Sequence, residues 1–124
     1  MSQVFPKNVF QLLPDGINGE SLQPCEYINK DNITSGSADE KAQVFLISED
    51  ERFSVGVWES TPCCEEIESY AGDEFCTVLE GTVEITADGE THTYNVGDSF
   101  AIRKGTKLTW NMTNQFKKYF VMYC

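Results

Sequence analysis

Residues 74–90 read EFCTVLEGTVEITADGE, and residues 96–110 read VGDSFAIRKGTKLTW. In the first stretch, strand-forming residues run through EFCTVLE (74–80) and stop at Glu80-Gly81. They resume over TVEITA (82–87) and stop again at Asp88-Gly89. A period of two is the pleat of a half-buried strand, and Glu-Gly and Asp-Gly are tight-turn signals. The second stretch repeats the arrangement, with a Val96-Gly97-Asp98 turn feeding SFAIRK (99–104) and then KLTWNM (107–112). Both stretches read as strands joined by glycine turns.

The same period extends to both sides. QVFLIS (43–48), RFSVGVWES (52–60), THTYNV (91–96) and KKYFVMY (117–123) are rich in Val, Ile, Thr and aromatics. No window carries a helical period. Eight short strands separated by turns predict an all-β sandwich or barrel over residues 43–124. Residues 1–42 differ. Pro6, Pro14 and Pro24, the DGINGE turn (15–20) and the polar run KDNITSGSADEK (30–41) interrupt regular structure, leaving the apolar islands Val4, Phe5, Val9, Phe10, Leu12 and Leu13. This pattern predicts an extended N-terminal arm with possible short strands, lying on the domain or on a partner subunit.

At 124 residues the chain fits one domain with a sizeable core. Twenty acidic and nine basic side chains give a net charge of −11, which repels nucleic acid and anionic membrane surfaces alike. The charge is sorted. Eleven acids and no Lys or Arg lie between Phe53 and Ile102, whereas Arg103, Lys104, Lys107, Lys117 and Lys118 follow with no further acid. Complementary neighbouring strands, a subunit contact, or a cation cluster beside an acidic mouth would each account for this sorting. A single histidine (His92) excludes any site built on two or three imidazoles. Cys25, Cys63, Cys64, Cys76 and Cys124 form an odd set without CxxC or zinc spacing. With no secretory signal and no apolar run of about 18 residues, a reducing cytoplasm is the expected location.

The two quoted stretches resemble the cupin superfamily, whose first motif reads G-x5-H-x-H-x3/4-E-x6-G. Glu74 and Gly81 fit its second half. The second motif reads G-x5-P-x-G-x2-H-x3-N, and Gly97 and Gly105 hold the required separation. The wider run from GVWES through SYAGDEFCTVLEG and GDSFAIRKGTKLTWN to KKYFVMY is more narrowly similar to ureidoglycine-aminohydrolase-type cupins. This resemblance implies a single-domain jelly-roll barrel, a double-stranded β-helix. It also implies a metal held by three imidazoles and the motif glutamate. The imidazole positions are here Glu68, Tyr70 and Leu108, so only Glu74 remains of the ligand set. No metal or other cofactor is therefore expected, the one alternative being a weak divalent ion between Glu68 and Glu74.

Strand parity places Glu74, Cys76 and Val78 on one face, and the resemblance turns that face into the lumen. Glu68 and Tyr70 join them by resemblance. Leu108, Trp110, Phe100 and Ile102 line the same space. A carboxyl alone in an apolar barrel is pushed up by desolvation, which suits a general acid or base. Glu74 is thus the candidate catalytic group, with Tyr70 as a donor beside it. Glu68, Trp110, Cys76, Trp58 and Lys118 are candidate ligand contacts, the faces of Trp58 and Lys118 being open. Lys118 either points inward to pair with Glu74 or blunts a sheet edge. His92 reads as a packing residue and Cys63-Cys64 as loop. A small-molecule ligand and a homodimer exchanging its arms are the expected partners. Acid–base catalysis, metabolite binding alone and a structural role remain open.

Overall fold

The computed structural model describes residues 8–124, so Val4 and Phe5 of the arm lie outside the described residues. Two antiparallel sheets pack face to face. One holds, in spatial order, β1 (Gln23–Cys25), β3 (Glu40–Ile47), β4 (Phe53–Ser60), β11 (Phe116–Tyr123), β6 (Asp73–Glu80) and β9 (Ser99–Ile102). The other holds β2 (Ile33–Gly36), β5 (Cys63–Ile67), β10 (Leu108–Met112), β7 (Val83–Ala87) and β8 (Glu90–Tyr94). This is the expected jelly roll. Sequence-adjacent strands repeatedly enter opposite sheets, as β9 and β10 do, and the two inner faces close on one core.

That core is aromatic. Trp58, Trp110, Phe100 and Phe116 are all buried, and their rings meet edge-on or tilted at 5.9–6.4 Å between centroids. Such spacings suit the ring quadrupole and add to the area each ring hides. Val78, Val83, Met112 and Cys76 fill the gaps between them. Each residue comes from alternate positions of its strand, which is why period-two reading located the strands.

Three features depart from that reading. The segment after Pro62, read as loop, is strand β5, whose Cys63, Glu65 and Ile67 share the inward parity. β11 lies between β4 and β6 at the centre of its sheet, so Lys118 is not an edge lysine. His92 is exposed on strand β8, beside Glu90 at 3.1 Å, rather than packed in the core. A solvated edge strand alternates as strictly as a buried one, so periodicity alone did not separate the two.

The described part of the arm lies on its own domain. Phe10, Leu12, Ile17 and Leu22 pack against Phe45, Val57 and Tyr119 on the outer face of the six-stranded sheet. The Gln43 amide clips the arm in both senses, accepting from the Ile17 N–H at 2.8 Å and donating to the Ile17 carbonyl at 3.1 Å. Beyond it, β1 pairs with β3, and β2 with β5. Among the described residues, no helix is long and apolar enough to cross a membrane.

Gly81 shows why the motif glycine is needed. Its φ is +80°, and an added Cβ would collide with the Gln115 carbonyl oxygen. Gly81→Ala should therefore lower stability by about 1–3 kcal/mol. A reduced urea midpoint at unchanged m-value would show it.

Candidate functional site

β6 carries Glu74 into the lumen on the same face as Cys76 and Val78, in the alternation expected for a strand covered on that side. β11 brings Lys118 directly opposite Val78, and a bulge between Lys117 and Lys118 separates two consecutive lysines. Lys117 turns outward to Asp15 at 2.7 Å and Glu59 at 3.4 Å. Lys118 turns inward, its Nζ donating to Glu74 Oε2 at 2.7 Å. Both members of this pair are almost wholly buried. The Tyr70 hydroxyl donates to the other oxygen, Glu74 Oε1. Glu74 is therefore not the isolated carboxyl that the sequence suggested, because a cation and a phenol take one oxygen each.

Two tryptophan faces complete the setting for the cation. Lys118 Nζ lies 4.6 Å from the ring centroid of Trp110 and 5.2 Å from that of Trp58. Ring faces carry negative potential and partly replace the water that a buried ammonium loses. Burial works against the charge on Lys118, yet the acidic groups Cys76, Glu74 and Tyr70 around it hold its pKa above the ordinary lysine value. Burial pushes the Tyr70 phenol well up; Lys118 opposes this and Glu74 adds to it. The Cys76 thiol is pushed up to about 12, again by burial first. Hence at neutral pH the lumen holds an ammonium, a phenol and a thiol, each with its proton. Cys76 is no thiolate nucleophile.

Loops close the mouth nearest this group. The Tyr70 N–H donates to the Thr106 carbonyl at 2.9 Å, and the Gly105 N–H to the Tyr70 carbonyl at 2.8 Å. The loop before β6 and the loop before β10 are thereby stitched together over Tyr70. One polar atom within is left over. Trp110 Nε1 is buried with no hydrogen-bond partner among the described residues, which costs about 1–3 kcal/mol relative to a paired donor.

Of the seven residues picked from sequence, six converge: Glu74, Tyr70, Cys76, Lys118, Trp58 and Trp110. Glu68 does not. It stands exposed in the loop after β5, 3.7 Å from Lys107, so the Glu68/Glu74 pair that a weak divalent ion would need is not assembled. Position 68 falls beyond the end of β5, where strand parity no longer applies. The remaining metal positions fit no better. Leu108 offers no donor, and the ammonium of Lys118 lies against the motif carboxylate, where a divalent cation would meet its repulsion. Among the described residues, no three His, Cys, Asp or Glu side chains are grouped to hold a metal ion. These residues do not fit the metal that a cupin barrel usually holds.

Sequence reasoning missed a buried pair of glutamates, Glu40 and Glu65. Glu40 accepts from Trp58 Nε1 at 3.1 Å and from the N–H groups of Tyr27 and Ile28 at 2.9 and 3.2 Å. Glu65 accepts from the Asn29 N–H at 3.1 Å. One carboxylate from each sheet thus ties down the strap Tyr27–Asn29 where it crosses between them. The inward parity of Glu40 with Ala42, and of Glu65 with Cys63, was the available signal. Burial, opposed by the Asn29 bond and aided by Glu40, raises the Glu65 pKa. The same surroundings push the Cys25 and Cys63 thiols up to about 11.

Comparison with known proteins follows the geometry. Residues 47–120 match the family model described as the EutQ-like cupin domain. A protein of unknown function from Pseudomonas syringae pv. tomato superposes with a TM-score of 0.77 at 21% identity, over 82% of this chain and 44% of that one. A putative ethanolamine utilization protein Q from Salmonella typhimurium gives 0.58 at 21%, over 68% and 69%. The Clostridium difficile EutQ protein gives 0.59 at 24%, over 70% and 64%. At these identities the likeness is one of fold, and the chain spans less than half of the Pseudomonas protein. No curated protein matches.

Two outcomes test the electrostatics. Lys118→Met strands a buried carboxylate and should cost about 3–5 kcal/mol at pH 7, most of it recovered in Lys118→Met/Glu74→Gln. Because the Lys118 pKa is raised on folding, its contribution is complete below the ordinary value of 10.5 and is lost as pH climbs through the folded value. Above pH 10.5 thermal melts should fall more steeply in the wild type than in the double variant, both sharing the loss that the raised Cys25, Cys63 and Cys76 thiols cause from pH 9.0 upward. For Glu65 the raised pKa means that stability is full below the ordinary value of 4.5 and falls as the carboxyl ionises. Glu65→Gln should melt above the wild type at pH 8 and level with it at pH 4.

Proposed function

We propose that this chain, which belongs to the EutQ-like cupin domain family, holds a small polar molecule in its barrel and exchanges a proton with it at Glu74, with no metal. The observation that carries the reading is the unpartnered Trp110 Nε1 donor on a ring that also faces the Lys118 ammonium. A ligand offering a carbonyl or carboxylate oxygen would satisfy that donor and meet the fixed positive charge. Most of the lining is apolar, with few polar groups, as in pockets that orient small molecules.

Within such a site the roles divide by protonation. Lys118 and Tyr70 keep their protons and act as donors, while Glu74 is the acceptor. In the step envisaged, a proton leaves the ligand for a Glu74 oxygen. The electron pair stays on the ligand, where the developing negative charge faces Lys118. Electrostatic stabilisation of this kind is strongest where water is excluded. The narrower likeness to ureidoglycine-aminohydrolase-type cupins belongs to the same proposal and puts small nitrogenous acids first among the candidates, although that chemistry uses a metal set these residues do not reproduce.

A second reading rests on the filling of the barrel. Trp58, Trp110, Phe100 and Phe116 are packed ring against ring, which favours a lumen that is simply a core, in a protein that acts through its surface. Thermal-shift and calorimetric screening against amino acids, ureides, purine breakdown products and sugars separates the readings, with every hit followed for product. A carboxylate-bearing hit lost in Lys118→Met, and bound but unconverted by Glu74→Gln, is the expected result. Return of the ligand chemically intact from the wild type would reduce the site to binding. An absence of any hit would favour the core.

A further inference from the structure

The lumen is not walled equally on all sides. Loops are stitched over its end at Tyr70. On one flank both sheets finish in an edge strand. Among the described residues, β8 pairs with β7 alone and β9 with β6 alone. A short turn carries the chain from β8 to β9, with the Asn95 N–H donating to the Asp98 carboxylate at 2.8 Å. The barrel is closed there by side chains instead of a backbone ladder.

Register identifies those side chains. Glu65, Trp110, Ile85 and His92 are successive cross-strand partners from β5 to β8, and partners directly opposite share a face. That face is the inner one, since Glu65, Trp110 and Ile85 are buried. The inward positions of β8 are thus Glu90, His92 and Tyr94, yet Glu90 and His92 stand exposed and Tyr94 is half-buried. Inward positions open to water mark a gap in the wall. Tyr94 fills the gap. Its ring lies on that of Phe100 from β9, at 4.3 Å between centroids and 19° between planes. Behind Phe100, at 6.0 Å, is the ring of Trp110. His92 continues the series outward, 6.5 Å from Tyr94.

Two features make this flank an entrance and not merely a loose edge. Trp110, whose buried Nε1 donor has no partner among the described residues, stands two strands in from it. The seal is also a weak one. Stacked rings hold less firmly than a strand ladder, and the Tyr94 hydroxyl has no hydrogen-bond partner among the described residues. Swinging that ring off Phe100 breaks no strand pairing and frees a flat slot the size of one ring. We infer, resting on the lumen site proposed above, that Tyr94 is its gate and selects what enters. Ligands pass between β8 and β9, and a flat group is favoured because it takes the place of the Tyr94 ring on Phe100. With the Trp110 donor behind it, the slot suits a flat molecule bearing a carbonyl or carboxylate oxygen.

Fluorescence reads entry directly, because the chain's two tryptophans, Trp58 and Trp110, are both buried in the lumen. Acrylamide, itself flat and carbonyl-bearing, should quench the full-length wild type slowly and Tyr94→Ala severalfold faster. Tyr94→Phe keeps the stack and should match the wild type. Val57→Ala, which truncates a buried side chain beneath the arm, should lower the melting temperature without faster quenching. Benzoate should raise the melting temperature of the wild type. Cyclohexanecarboxylate, equal in charge but puckered, should raise only that of Tyr94→Ala. Quenching unchanged in Tyr94→Ala, or raised as much in Val57→Ala, overturns the gate. A wild type stabilised equally by both acids overturns the selectivity. Faster quenching in Tyr94→Ala with neither acid bound by any variant overturns the ligand class while the gate stands. Failure of the wider ligand screen as well would remove the lumen site itself, so the two failures are told apart.

Discussion

Burying one charge inside a barrel of tryptophan and phenylalanine obliges the structure to bury another. Glu74 comes with the β6 turn geometry, its strand held in place by Gly81 and by pairing to β9 and β11. Lys118 answers it from the neighbouring strand at 2.7 Å, and Tyr70 takes the oxygen that remains. Each of these contacts constrains something larger. The register of β11 sets Lys118 opposite Val78 and leaves Lys117 on the outer face, against Asp15 of the arm. The tyrosine fixes the two loops that close the mouth. A lone carboxylate in that setting would cost several kcal/mol, so the pair is a condition of the fold as well as its most chemical feature.

The same economy recurs at Glu40 and Glu65. Each is buried, each takes backbone N–H donors from the strap Tyr27–Asn29, and together they join the sheets through main chain. The 11 acids between Phe53 and Ile102 are therefore not one acidic surface. Glu65 and Glu74 lie inside with dedicated partners, while others of the set, among them Glu68, Asp88 and Glu90, remain in water. A net charge says nothing about this division, since it follows from strand parity and partner geometry.

Most of the fold was legible because β-structure writes itself in period two and in glycine turns. The alternation in 43–60 and 74–123, and the spacing of Glu74 to Gly81 and Gly97 to Gly105, carry the jelly roll. β5 was missed where Pro62 and two cysteines imitate a loop. Of the site, parity reached Glu74, Cys76, Trp110 and Leu108, because a strand assigns faces without knowing its neighbours. The family resemblance misplaced Glu68, which lies past the end of its strand, and parity left Lys118 undecided. The two consecutive lysines of KKYFVMY must point to opposite sides, and which one enters the barrel depends on strands 38 or more residues away.

Sequence alone determined the all-β class, the turns, the apolar inner face and the absence of the usual imidazole set, all of them properties of local pattern and side-chain chemistry. Tertiary structure alone decided that an ammonium stands against the motif glutamate, that Trp58 faces the lumen, and that β11 is central, between β4 and β6. Those are facts about strand order and register. Register is set by the joint packing of both sheets, which no single stretch of residues specifies.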